Sequence, residues 1–221
     1  MFLGHYAAAL AAKRPAPRAS LGALFAAAQF PDLLWPVFLL LGVERVDPGP
    51  GGFLALSFTY YPWSHSLAMT VVWAILAAAG YWAVTRYRGG AVAIGLLVLS
   101  HWIFDYVTHV PDLPLYPGGS AKVGLGLWRS AAATGVVEGL MTALGLWIYL
   151  SVTRARDGVG RWALWAMVAL LLLLYATNFG AAPPTDMRAI AWFSMAGWLI
   201  PLWAWWVDRH REATAAAPDT R

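Results

Sequence analysis

Long apolar runs, broken by short polar or Pro/Gly-rich stretches, dominate the chain. Six of them, at about residues 21–43, 65–85, 91–110, 131–152, 161–179 and 188–207, approach the ~20 residues needed to cross a hydrocarbon core. A seventh apolar stretch, residues 2–13, is too short to cross. The pattern predicts an all-α integral membrane protein with about six transmembrane helices plus a short N-terminal half-helix. Inside these runs the only acids are Asp32, Asp105 and Glu138.

Composition agrees with the pattern. The chain is 60% hydrophobic and 12% charged, whereas soluble domains carry about 25% charged residues. The 14 Trp and 9 Tyr suit membrane interfaces, where a ring and its polar tip face different media. With no Cys, disulfides and thiolate metal sites are excluded, so any metal must be held by His, Asp, Glu or backbone. The net charge of +4 does not indicate nucleic acid as a partner, because Lys and Arg gather at helix ends rather than on one face. With the N-terminus inside, inner segments carry eleven of the 15 Lys and Arg, as the positive-inside rule requires. Both termini are then cytoplasmic. The N-terminal stretch has no positive charge ahead of it and is read as retained rather than as a cleaved signal. Residues 1–208 read as one transmembrane domain and 209–221 as a polar cytoplasmic tail.

The outer loops, about 44–64 and 111–130, are rich in Pro and Gly, so little regular structure is expected there. Loops of this length are usually functional or disordered, and with the inner connections short, function is expected on the outer face.

Polar residues inside the runs share one depth. His101, Asp105 and His109 recur every four residues and so form one stripe on a helix, which Asp112 would continue if Pro111 did not end the helix first. At ~1.5 Å per residue, His101 lies roughly 15 Å up its span and Asp105 about 21 Å. Asp32, between Pro31 and Pro36, lies about 16 Å up the first span, and Glu138 near 20 Å up the fourth. Gly135 and Gly139, flanking Glu138, are expected to let helices approach closely. His65 stands at the outer start of the second span. If residues 2–13 descend as a half-helix, His5 is about level with Asp32.

Ionisable groups at membrane depth cost about 2.5–3.5 kcal/mol each on the insertion scale, and so point to function. The candidate metal ligands are His5, Asp32, His65, His101, Asp105 and His109, with Glu138 and Asp112 as candidate catalytic carboxylates. Such a set suits Zn²⁺ first, with Mn²⁺ or Mg²⁺ as harder alternatives. The competing readings are structural: a His101–Asp105 pair that locks helix packing, Asp32 capping a Pro-broken helix, and His109 and Asp112 solvated at the boundary.

GHYAAAL near the start, the Pro31-Asp32 pair, SHS at 64–66 and SHWIFDYVTH at 100–109 resemble the bacterial predicted membrane-bound metal-dependent hydrolases. That family is similar in motif order to zinc-dependent phospholipase C. The resemblance covers roughly the first half of the chain and implies His5, Asp32, His65, His101 and Asp105 as ligands, in a bacterial inner membrane. The chain departs from the family's His-Arg-Gly-x-Thr-His-Ser segment at Tyr60, in place of the first His, and at Tyr61-Pro62, in place of Arg-Gly. Leu34 stands where an acid often follows the Pro-Asp.

The expected function is metal-dependent hydrolysis of a phosphoester or other ester, with a lipid reached from the bilayer as one candidate substrate. One alternative is a small transporter or proton-relay protein, in which Pro31 and Pro36 break a helix at the site. The other is a non-catalytic accessory subunit whose Trp-rich helix 192–206 meets a membrane partner or a second copy.

Overall fold

The computed structural model describes residues 1–49, 55–180 and 182–214. Pro50, Gly51 and Gly52 of the first outer loop and residues 215–221 of the polar tail lie outside the described residues.

The chain is an all-α membrane protein. Its helices are α1 (Leu3–Ala12), α2 (Leu21–Ala28), α3 (Phe30–Leu40), α4 (Pro62–His65), α5 (Leu67–Thr85), α6 (Arg88–Thr108), α7 (Ala131–Val152), α8 (Gly158–Ala176), α9 (Met187–Met195) and α10 (Leu199–Arg209). Among the described residues, five segments are long and apolar enough to span: α5, α6, α7, α8, and α9 with α10 joined through a 3₁₀ turn. The sixth, α2 with α3, is bent by 59°. Its cause is local, since Pro31 has no N–H to continue the α2 ladder and sits at the start of α3.

Most spans present Leu, Val, Ile and Trp outward, such as Ile75, Leu76, Leu140, Trp147, Trp162 and Leu173. That arrangement is stable only where the surroundings are as apolar as the side chains. The half-helix α1 is instead almost wholly buried, with His5 and Ala9 fully enclosed. It packs on α2, α6 and α7. Around it lies the main apolar core, including Tyr6, Leu10, Phe25, Val98, Tyr149 and Met167.

Close approach of α1 to α7 occurs at Gly145, where an added Cβ would lie 2.4 Å from the Ala7 carbonyl oxygen. This corrects the expectation placed on Gly135 and Gly139. Among the described residues, a Cβ at Gly139 would meet nothing within 4 Å, and one at Gly135 only Phe179, at 3.8 Å.

The loops hold more regular structure than their Pro and Gly content predicts. Strands β1 (Arg45–Pro48) and β2 (Leu56–Tyr60) form an antiparallel hairpin with Arg45 opposite Tyr60. Strands β3 (Leu113–Pro114) and β4 (Lys122–Val123) pair near it. Tyr61, Trp35 and Leu113 form a second small core beneath these loops, which supplies the burial that loop composition alone does not reveal. At the other end, β5 (Thr153–Ala155) pairs with β6 (Arg211–Ala213). Buried Arg211 donates to Thr153 Oγ1 and the Gly160 carbonyl, so the first residues beyond α10 are seated in the fold.

Candidate metal centre

Four histidines converge on one aspartate. His5 comes from α1, His65 from the end of α4, His101 from α6, and His109 from the residue that follows α6. The Nε2 of His5 lies 3.2 Å from Asp105 Oδ1. The Nε2 atoms of His101, His65 and His109 lie 3.1, 3.9 and 4.0 Å from Asp105 Oδ2. Asp32, at the head of α3, completes the cluster, with Oδ1 at 3.1 Å from His65 Nε2 and 3.7 Å from His101 Nε2. The rings of His5 and His101 stack at 3.8 Å. All four histidines and Asp105 are buried, while the Asp32 side chain is 40% exposed. The α-amino group of Met1 also touches Asp105 and lies 3.0 Å from Thr108 Oγ1.

Among the described residues, two sets of three side chains each bring one ligand atom within 4.8 Å of the others: His5, His101 and Asp105, and Asp32, His65 and His101. His101 belongs to both.

The remote nitrogens explain the orientation of three of these rings. At the break between α2 and α3, the Ala28 carbonyl accepts from His101 Nδ1 at 2.7 Å. Thus the bend that exposes Asp32 also supplies the acceptor that aims His101. His65 Nδ1 lies 2.6 Å from Ser64 Oγ, which donates to Glu44 Oε2 at 2.7 Å. His109 Nδ1 lies 2.8 Å from Asp112 Oδ1, to which Tyr61 Oη also donates at 3.1 Å. A neutral imidazole carries one proton. With that proton on Nδ1, each Nε2 turns a lone pair toward carboxylate oxygens. His101 Nε2 has no aligned hydrogen-bond partner among the described residues. Lone pairs facing carboxylates in a buried space repel unless a cation or protons lie between them. A divalent ion fits this donor set, and histidine ligands fixed through their second nitrogen are the usual arrangement around such ions.

Of the residues singled out from sequence, His5, Asp32, His65, His101 and Asp105 lie together in the two sets, and His109 borders them. Asp112 stands behind His109. Glu138 takes another place. Its Oε2 accepts from the backbone N–H of Phe2 and Gly4, at 2.9 and 3.2 Å, and so caps the start of α1. Its Oε1 is buried and, among the described residues, without a hydrogen-bond partner, and the carboxylate joins neither set.

Sequence reading missed Glu44, Ser64 and the Ala28 carbonyl. Glu44 is one acid in a loop beside Arg45, and no spacing ties it to the stripe on α6. Burial lifts its carboxyl above the usual range, while hydrogen bonds donated by Ser64 and Trp63 pull it back. Tyr61 entered only as a departure from the family pattern. Burial first, and Asp112 second, push its phenol well above the usual value, so it remains a donor.

The fold and site define a multi-pass helical membrane protein with a buried His/Asp cluster. No protein-family model, curated protein or solved structure matches the chain.

Proposed function

We propose that this protein is a membrane-embedded, metal-dependent hydrolase of phosphoester or ester substrates. The observation that carries the reading is the convergence of four imidazole Nε2 atoms on Asp105, at 3.1 to 4.0 Å, with three of the rings held at Nδ1. His5, Asp32, His65, His101 and Asp105 would hold the ion, Zn²⁺ before Mn²⁺ or Mg²⁺ given three nitrogen ligands. A bound divalent ion supplies Lewis acidity toward a phosphoryl or carbonyl oxygen and acidifies water to near-neutral pKa.

The chain's own residues would do the rest. Asp32 is the exposed member and so the edge at which a substrate arrives. His109, backed by Asp112, presents Nε2 toward Asp105 and would accept and return a proton there. A cavity of about 160 Å³ opens beside Tyr61, lined by Tyr60, Pro62, Pro114, Tyr116 and Lys122. It offers a cation and aromatic edges to an anionic ester. The motif resemblance supports a bacterial inner membrane, and the charge distribution supports cytoplasmic termini with the site facing outward.

The test is elemental analysis of the purified protein and of His101→Ala, with hydrolysis of phosphodiester and lipid substrates followed in parallel. Stoichiometric metal in the wild type, lost together with hydrolysis in the variant, supports the reading. A wild-type protein that takes up no divalent metal would sink it. Proton relay through the same stripe, which the break between α2 and α3 favours, would then take its place.

A further inference from the structure

Glu44 lies outside both sets of candidate ligands, yet it is buried and fully engaged. Its Oε1 accepts the backbone N–H of Trp63 and of Ser64, each at 2.8 Å. Its Oε2 accepts the Ser64 hydroxyl at 2.7 Å. That hydroxyl has one proton, so once it points at Glu44 its oxygen is an acceptor toward His65. His65 Nδ1 lies 2.6 Å away, against 3.4 Å for the hydroxyl's other neighbour, the Tyr61 carbonyl. His65 must then carry its proton on Nδ1, leaving Nε2 as a lone pair 3.1 Å from Asp32 Oδ1.

We infer that Glu44 is a positioning residue, which acts through Ser64 to fix the tautomer of His65 and keep its Nε2 available as a ligand. The inference rests on the metal reading for its purpose, though not for its geometry. Both carboxyl oxygens of Glu44 are acceptors in these three hydrogen bonds, so the relay runs in one direction only. This is the outer-shell arrangement that holds metal-binding histidines, with a hydroxyl inserted between ring and carboxylate. It also accounts for a short helix at 62–65: α4 brings two backbone N–H groups and the Ser64 side chain onto one carboxylate, with His65 next in the chain.

Glu44→Gln separates this role from packing. The amide has the carboxylate's shape, and two backbone donors require its oxygen at the Oε1 position. Its NH₂ then faces Ser64 and donates where Oε2 accepted. The Ser64 hydroxyl turns to donate to His65 Nδ1, and the ring proton moves to Nε2. The relay is inverted with no change of volume.

The experiment is ¹⁵N NMR of histidine-labelled full-length protein in detergent, stripped with chelator and held above the usual histidine range. The His65 signals are assigned by their loss in His65→Gln. The expected result is an Nδ1–H ring in the wild type and in Ser64→Thr, which keeps the hydroxyl, and an Nε2–H ring in Glu44→Gln. Metal affinity is then expected to fall about 10- to 100-fold in Glu44→Gln and Ser64→Ala, and to recover in Ser64→Thr. An Nδ1–H ring that persists in Glu44→Gln, or a doubly protonated ring in the wild type, overturns the assignment. Because the tautomer is read without metal, a wild type that binds none would remove the hydrolase reading and still leave the relay decided.

Discussion

Gly145→Ala tests whether the candidate site depends on α1 being pressed against α7. The new Cβ would lie 2.4 Å from the Ala7 carbonyl oxygen, 2.8 Å from its Cα and 2.9 Å from its carbonyl carbon, where ordinary contact begins at 3.4 Å. These neighbours are backbone, so no side chain can swing aside, and α1 must recede by about 1 Å. Ala7 is two residues from His5, whose ring stacks on His101 at 3.8 Å with 5° between the planes. Overpacking of this kind costs about 1–3 kcal/mol. Misplacing a ligand by about 1 Å is worth roughly a hundredfold in rate. Gly139→Ala is the control, on the same helix and with nothing within 4 Å of the added carbon. Both variants gain the same helix propensity, so their difference isolates the contact. Denaturant titration in detergent should find Gly145→Ala less stable than Gly139→Ala by about 1–3 kcal/mol, with weaker metal uptake. Equal stability and equal uptake in the two variants would refute the claim that this contact sets His5.

Other consequences are open to measurement. Lys13 donates to Asp208 and to the Ala19 carbonyl, both at 2.8 Å, in a largely buried place. Lys13→Met should therefore cost about 3–5 kcal/mol by chemical denaturation, with much of the loss recovered when Asp208→Asn is added. Glu138→Ala should fray the first turn of α1, seen as faster hydrogen exchange at Phe2 and Gly4, at a cost of about 1 kcal/mol. Glu138→Gln, which keeps an acceptor, should lose less, and a Gln variant that folds and binds metal yet is inactive would instead make Glu138 a catalytic base. The Asp157 carboxyl is held below its usual value, first by the Gly160 N–H and then by His210. A carboxyl lowered on folding contributes stability above its unfolded value of about 3.9 and loses it as pH falls through the folded value. Exchange at Gly160 should accordingly quicken below about pH 4 in the wild type, and be fast and independent of pH across that range in Asp157→Ala once the intrinsic rate is removed.

Legibility divides along physical lines. The spans were readable because a bilayer demands long apolar runs, and their lengths survive in the helices. The α6 stripe was readable because helical period fixes which side chains share a face. Depth counting brought Asp32 and His5 to the same level because rise per residue is nearly constant. The same counting also brought Glu138 to that level but could not tell a ligand position from a cap, since azimuth around the bundle is set by packing. The close contact at Gly145 was missed because small residues permit approach without specifying where it occurs. Glu44 was out of reach because its partner lies twenty residues away across a hairpin, and no periodicity spans a hairpin.

The acceptors and caps that orient the site share a feature. Ala28 offers its carbonyl where Pro31 breaks the span. Ser64 lies in the short helix α4, interposed before α5. Asp112 follows the end of α6, beyond Pro111. Glu138 differs in projecting from the unbroken α7, and the interruption it serves is the open N-terminus of α1. A continuous helix has little to offer a histidine, because its carbonyls are already bonded to N–H groups four residues on. Backbone groups able to fix an imidazole at membrane depth must come from points where the ladder is interrupted, and such points are tolerated only when buried in protein. The irregular segments therefore orient a site whose His5, His101 and Asp105 stand on regular helix. Restoring regular helix at any one of them should disorient the histidine or half-helix it serves, while leaving the spans in place.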